Sequence, residues 1–210
     1  MGILQKGING GISGKVGNIV GAKWRDIYYV RSLPSKVNDP RTKAQLKQRS
    51  KFSTAIQFLK TITHFIRVGF QEYSTGKYTA FNAATSYHIK NAIIEVDAEI
   101  KLDYSKVLVS RGSLYTAPGI KVTKVNGQMH FTWDSTLKEN ARPSDMVMIV
   151  VYNSTKKEAI YTLCAGLRIN GVAQLQLPST WKKDIIYPYL SFRSDDGEIV
   201  SDSVLAKAFN

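Results

Sequence analysis

Gly14-Lys15, inside the run GGISGKVGNIVGAKW (residues 10–24), has the residue types of a phosphate-cradling loop. Such a loop reads GxxxxGK[ST], follows a buried strand and opens a helix, with the Ser or Thr hydroxyl on magnesium. Here Val16 follows the lysine, Asn9 holds the place of the first glycine, and no hydrophobic strand precedes. The glycines read instead as a packing device. In one strand over 15–24, Gly17 and Gly21 share the face of Ile19, while Val16, Val20, Ala22 and Trp24 point the other way. Glycine at every fourth position lets a second backbone or a ring lie flat against that face. Gly10, Gly11 and Gly14 are expected to give the preceding segment its positive-φ turns. Gly14, Gly17, Val20, Gly21, Trp24, Tyr28 and Tyr29 are therefore the expected assembly contact, within the chain or between subunits.

The ribbon KWRDIYYVR offers a second chemistry. Rings interleaved with Lys23, Arg25 and Arg31 could stack on bases while the cations follow phosphates. The competing reading is a twisted hairpin with solvated charges, favoured because no RNP, KH or helix-turn-helix pattern accompanies the ribbon. Lys43, Lys47 and Lys51 recur at i, i+4 and i+8 and so share one helix face. With Lys15, Lys23, Arg25, Arg31, Arg41 and Arg49 they are the expected contacts to phosphate or to an acidic partner.

The remaining reactive residues do not assemble into a site. His64, His88 and His130 are far apart and in no metal spacing, and His88 falls on the inner stripe of a helix as a hydrogen-bonded core residue. The single cysteine, Cys164, excludes an internal disulfide and reads as a small buried hydrophobe in AIYTLCAGL. Asp195, Asp196, Glu198 and Asp202 lack the ligand order of a calcium loop, and SDDGE reads as a β-turn. No nucleophile, base and orienter can be named. The expectation is a protein that is not an enzyme, with no cofactor and no evident small-molecule substrate.

The 210 residues suit one large domain or two small ones. No apolar run approaches the roughly 18 residues of a membrane span. The first residues lack the apolar stretch of a secretory signal, so synthesis in the cytoplasm without membrane insertion is expected. The net charge is +13, and residues 1–60 hold twelve Lys or Arg against Asp26 and Asp39 alone. Such an excess speaks about partners, not about fold.

The elements follow from pattern. Strands are expected over 15–24 and 27–33, joined around Arg25-Asp26, with Pro34 ending the second. Asp39 as N-cap and Pro40 at the first helical position open a helix over 40–71. Its inner stripe is Phe52, Ala55, Ile56, Leu59, Ile62, Ile66 and Phe70, with Phe58 and Phe65 beside it. A second helix is expected over 78–96, with Tyr78, Phe81, Ala84, Thr85 and Ala92 inward. From about 104 the texture becomes short alternating runs. VTKV-NG-QMHFTW is a hairpin turning on Asn126-Gly127, and Pro188 marks an edge strand or bulge. The spacing predicts an α+β chain: a basic hairpin-plus-helices assembly domain over 1–103 and an antiparallel immunoglobulin-like sandwich of about seven strands over 104–210.

The run SGKVGNIVGAKWRDIYYVRSLPSKVNDPRTKAQLKQRSKF resembles a family of unknown function found in Bacteroidota and their phages. Its pattern is GKVG-x-VVG, tryptophan, Y-x-R-S-x-P, NPRT-x-AQ and QR-x-KF, with Asp39 standing where the family prefers Asn. The resemblance implies a structural or particle-associated protein without implying a mechanism. LPSTWKKDIIYPYLSFRSDDGEIVSDS is separately similar to the last strands of a fibronectin type III or immunoglobulin-like module. A homo-oligomer or larger assembly is the expected partner state, with sequence-independent nucleic-acid binding as the alternative.

Overall fold

The computed structural model describes residues 3–4, 10–24, 27–33, 39–76, 78–97 and 99–208. The chain divides into two compact units, 1–42 and 43–210.

In the first unit, strands β1 (Ile3–Leu4), β2 (Ile12–Val16), β3 (Ile19–Trp24) and β4 (Ile27–Ser32) form an antiparallel sheet in that order. The expected single strand over 15–24 is two strands joined by a tight turn at Gly17-Asn18. Gly17 has φ 56°, which a Gly-Asn hairpin turn requires at its first central residue. Gly17 is thus a turn residue, with nothing near its would-be side chain, and no packing contact. Gly14 (φ 97°) is where β2 changes partner. Ile12 and Ser13 pair with β1, whereas Gly14, Lys15 and Val16 pair with β3. Gly11, expected at positive φ, does not adopt it, and the φ of Gly10 rests on residue 9, outside the described residues. The Arg25-Asp26 connection and Pro34 lie outside the described residues.

The second unit opens with α1 (Lys43–Thr61) and α2 (Thr63–Gly69), not with one helix over 40–71. Asp39 and Pro40 are not its cap, because Arg41 sits at φ 48° and the helix starts only after it. The jog between the helices falls at Ile62 (φ −128°, ψ 29°). Thr61 Oγ1 donates to Phe58 O at 2.7 Å and Thr63 Oγ1 to Lys60 O at 3.1 Å. Hydroxyls that back-bond to carbonyls three residues earlier compete with the helical ladder and bend it. The apolar stripe survives the jog: Ala55, Leu59, Ile62, Ile66 and Phe70 are buried, as are Phe58 and Phe65. Phe52 is not, at 51 % exposure, since α1 there runs ahead of the core.

A short 3-10 turn (Gln71–Tyr73) leads to α3 (Ala80–Asn91), capped by Thr79, whose Oγ1 accepts from Asn82 N at 3.2 Å. Ala84, Thr85 and Ala92 face inward as expected, whereas Tyr78 precedes the helix and is 62 % exposed. The helix does not reach 96. The β-branched run Ile93–Val96 is instead β5, paired with β6 (Glu99–Leu102), and Asp97 (φ 51°) lies in the turn.

The strands that follow are β7 (Lys121–Val125), β8 (Gln128–Thr132), β9 (Met146–Asn153), β10 (Glu158–Thr162), β11 (Val172–Gln176), β12 (Ile186–Arg193), β13 (Val204–Leu205) and β14 (Lys207–Ala208). Asn126 (φ 49°) and Gly127 (φ 80°) make the expected hairpin turn, with positive φ at both central residues. Two four-stranded sheets result, in the orders β10-β9-β12-β13 and β11-β8-β7-β14. All pairings are antiparallel except β14 on β7.

Strand β9 shows how the layers meet. Val147, Ile149 and Val151 join Val122, Phe131 and Ala173 of the second sheet, with Leu190 and Phe192 of β12, in one core. Met148, Val150 and Tyr152 join Phe58, Leu59, Phe65 and Ile66 of the helices in another. The sheet containing β9 is therefore the middle of three layers, and its run MVMIVV is apolar on both faces for that reason. It also explains why the compact units part at 42/43 and not at 103/104: α1, α2 and α3 share a core with β9 and β12. The fold is α+β, with helices packed on antiparallel sheet.

Pro188, expected at an edge or bulge, lies in β12 between β9 and β13. Its carbonyl accepts from Ala206 N at 2.9 Å, so its missing N–H faces the side where two-residue β13 has already ended. Locally that side is an edge, and no ladder hydrogen bond is lost. Cys164 is the plainest departure from expectation. It lies past the end of β10, in a loop, and is exposed.

Candidate assembly surface

The register of the N-terminal sheet sorts the expected site residues onto two faces. Residues directly opposite one another in an antiparallel pair share a face. Gly14 stands opposite Gly21, and Val16 opposite Ile19, on the face that also carries Lys23, Tyr28 and Val30. Here the close-packing expectation has a concrete form at Gly21, which is buried. A Cβ there would collide with the carbonyl oxygen of Ile12, so β2 bends across this spot only because the side chain is missing. Gly11 is in the same position against the ring of Tyr28. Lys23 Nζ stands 5.2 Å from the centre of that ring.

The opposite face carries Lys15, Val20 and Arg31 in one lateral row, followed by Ala22 beside Tyr29 and Trp24 beside Ile27. Trp24, Ile27 and Tyr29 are exposed, Ile27 by 61 %. All six residues of β4 are exposed, although four of them (Ile27, Tyr28, Tyr29, Val30) are apolar or aromatic. β4 is also the last strand of its sheet. Leu33 N donates to Asn18 O at 2.7 Å, which fixes the phase of the ladder. The odd-numbered residues turn their backbone groups towards β3, and Tyr28, Val30 and Ser32 turn theirs outward. Among the described residues no strand pairs with that outer edge.

The basic residues are not all alike. Arg25 lies outside the described residues. Arg41 Nε is 3.7 Å from Asp39. Lys43, Lys47, Arg49 and Lys51 belong to α1 and hence to the other compact unit. Lys47 is ion-paired with Glu95 of β5, and this hydrogen bond holds the Glu95 carboxyl below its usual range.

The other candidates take structural places. His88 is fully buried on α3, and Nδ1–H donates to Ala84 O at 2.7 Å. His64 lies on α2 and His130 on β8. Asp195 accepts from Ser144 Oγ (2.7 Å) and Arg142 (3.2 Å), while Asp196 accepts from Glu198 N (2.9 Å) around the Gly197 turn. The SDDGE cluster is a hydrogen-bonded turn, and these bonds lower both carboxyl pKa values, Asp195's through Ser144 first and Asp196's through Ser194. Among the described residues no three His, Cys, Asp or Glu gather as a metal site, and no helix is long and apolar enough to cross a membrane.

Comparison with known families gives one result. Residues 11–206 match the model of a family of unknown function, DUF6266. The chain belongs to this family. The match spans both compact units, so hairpin unit and layered unit are parts of one family architecture. No curated protein and no solved structure matches the chain. The outer edge of β4 and the exposure of Ile27 and Val30 were missed by sequence reasoning. The run IYYVR, apolar on both alternating faces, was the available signal.

Proposed function

We propose that this member of DUF6266 is a non-enzymatic structural and interaction protein that self-associates through β4 of its N-terminal sheet. The observation that carries the reading is a six-residue strand, apolar or aromatic at four positions, exposed throughout and, among the described residues, unpaired along one edge. A long, hydrophobic edge strand is a template for strand addition. Two copies of β4 related by a two-fold axis would pair antiparallel, which satisfies both edges with the same surface. The resemblance of the N-terminal motif to proteins of Bacteroidota and their phages extends this reading to a component of a particle or assembly.

The layered unit is read as an immunoglobulin- or fibronectin-like display module. Taking β7, β8, β9, β11, β12 and β13 as strands A, B, C, E, F and G gives sheets with the orders E-B-A and C-F-G, the partition of that fold. β10 sits beside C as an extra strand.

The test is Val30→Pro. Val30 turns its N–H outward, so proline there removes an edge donor and leaves the β3–β4 ladder intact. Light scattering is expected to give an oligomeric mass for the native chain and a monomer mass for the variant. A monomeric native chain, or a variant of unchanged mass, overturns the reading. Gly21→Val is no substitute, because it disrupts the hairpin through Ile12.

One observation favours a second reading. Lys15 and Arg31 flank Val20 on the face that carries Trp24 and Tyr29, the cation-and-ring combination that holds single-stranded nucleic acid. That reading predicts retention of single-stranded DNA at low salt, lost steeply as salt rises and lost in Lys15→Glu with Arg31→Glu. Absence of retention at low salt removes it.

A further inference from the structure

A cleft in the second unit, unrelated to the β4 edge, has the makings of a ligand site. It encloses about 480 Å³ between α3 and the segment after α2, and its lining includes Tyr73, Tyr78, Ser86, Tyr87, Lys90 and Arg111. That volume is in the range of small-molecule sites, roughly 300–1,000 Å³.

Arg111 is the centre of the argument. Its guanidinium carbon lies 4.5 Å from the centre of the Tyr73 ring and 5.3 Å from that of Tyr87. Among the described residues the guanidinium has no hydrogen-bond acceptor and no ion-pair partner, and the same holds for the ammonium of Lys90. Two acids stand beside this segment, and both are engaged by backbone: Asp202, felt electrostatically at Tyr87, accepts from Gly112 N at 3.1 Å, and Glu72 accepts from Val200 N at 2.8 Å.

The backbone that presents Arg111 is fastened at every residue. Val109 N donates to Ser203 Oγ (2.9 Å), Ser110 Oγ to Ser201 O (2.7 Å), and Arg111 N to Gly69 O (2.7 Å). Beyond it, Ser113 N donates to the Glu72 carboxylate at 3.1 Å. Gly69 has no side chain because Val109 O fills the space. A guanidinium set against two rings on a fastened backbone, and without an ion-pair partner among the described residues, is placed to take an anion.

We propose that this cleft binds a small phosphomonoester carrying a ring: Arg111 and Lys90 take the phosphate, and the exposed faces of Tyr73 and Tyr78 take the ring. The charge decides between oxyanions. A phosphomonoester carries about −1.5 to −2 at neutral pH, which matches two unpaired cations, whereas a carboxylate leaves one unmatched. The exposed tyrosines at 39 % and 62 % supply ring faces that free phosphate would not use.

Titration calorimetry of the full chain with AMP and with glucose 6-phosphate tests this and separates a base-bearing from a sugar-bearing ligand. At least one is expected to bind at submillimolar concentration, at least about tenfold more tightly than adenosine, glucose or inorganic phosphate. Arg111→Met should weaken that binding by about tenfold or more, with an unchanged thermal melt. Ser86→Trp, on the exposed side of α3, fills the cleft without touching the core and should abolish binding even if Arg111→Met misfolds. The proposal is overturned if neither ester binds at millimolar concentration, if both variants bind normally, or if inorganic phosphate binds as tightly as the esters.

Discussion

Asp145→Ala is expected to lower the unfolding free energy of the layered unit by about 3–5 kcal/mol, the cost of stranding one partner of a buried ion pair. Arg168 and Asp145 are both fully buried, and Arg168 Nε donates to Asp145 Oδ2 at 2.9 Å. The carboxylate also accepts from Arg142 N at 2.9 Å. On the other side, Arg168 Nη2 donates to Tyr115 O at 2.7 Å, and its guanidinium lies 3.8 Å from the centre of the Phe192 ring. Burial pulls the pKa of Arg168 down while Asp145 pulls it back up. Without the carboxylate, the cation keeps its desolvation cost and loses its compensation. For a unit of this size the melting temperature should fall by roughly 10 °C. Arg168→Met together with Asp145→Ala should lose less than Asp145→Ala alone, because no charge is then left buried. A loss below about 1 kcal/mol in denaturant titrations of Asp145→Ala would place the pair outside the stability of the core.

The second large effect is acid sensitivity through His88. The imidazole lies among Phe58 and Tyr87, with ring centres 5.6 and 5.5 Å away, and Nε2 has no partner among the described residues. Burial pulls its pKa from 6.5 down to about 4, only partly opposed by the bond to Ala84 O. The sign follows from which state binds the proton. Between about 6.5 and 4 the unfolded chain is protonated at His88 and the folded chain is not, so the unfolded state gains as pH falls. Stability from this group is complete above about 6.5 and is lost progressively towards about 4. Between pH 7.5 and pH 4.5 the loss should be roughly 2–3 kcal/mol. Urea titrations of the native chain and of His88→Met at both pH values isolate it, since the variant should lack that share of the decline. Equal declines in the two proteins would assign the acid sensitivity to other groups.

Where a feature was local, it was legible. Asn126-Gly127 specifies a turn because both residues tolerate positive φ, and both adopt it. The spacing of Ala55, Leu59, Ile62 and Ile66 predicts a buried stripe, and all four are buried. Misreadings arose where two local rules compete. The run from Lys15 to Trp24 alternates like one strand, yet Gly17-Asn18 is also a hairpin turn, and pairing of β2 with β3 favours the turn. Residues Thr61 to Thr63 continue a helical stripe, yet their hydroxyls back-bond and jog the axis. Cys164 shares the apolar texture of its surroundings, but β10 ends at Thr162 and leaves the thiol in a loop.

The amino-acid order by itself determined the class of the longer elements, the basic N-terminal third and the close approach at Gly21, because all three depend on neighbours in sequence. Tertiary structure alone decided that β9 faces two cores at once, that α1, α2 and α3 share a core with β9 and β12, and that among the described residues no strand covers the outer edge of β4. It also brought Tyr73, Tyr87 and Arg111 around one cleft and set Arg168 against Asp145. Those groups lie on separate elements with no periodic spacing between them. Their proximity is a consequence of how the layers stack, and burial of apolar surface, not local backbone preference, sets that stacking.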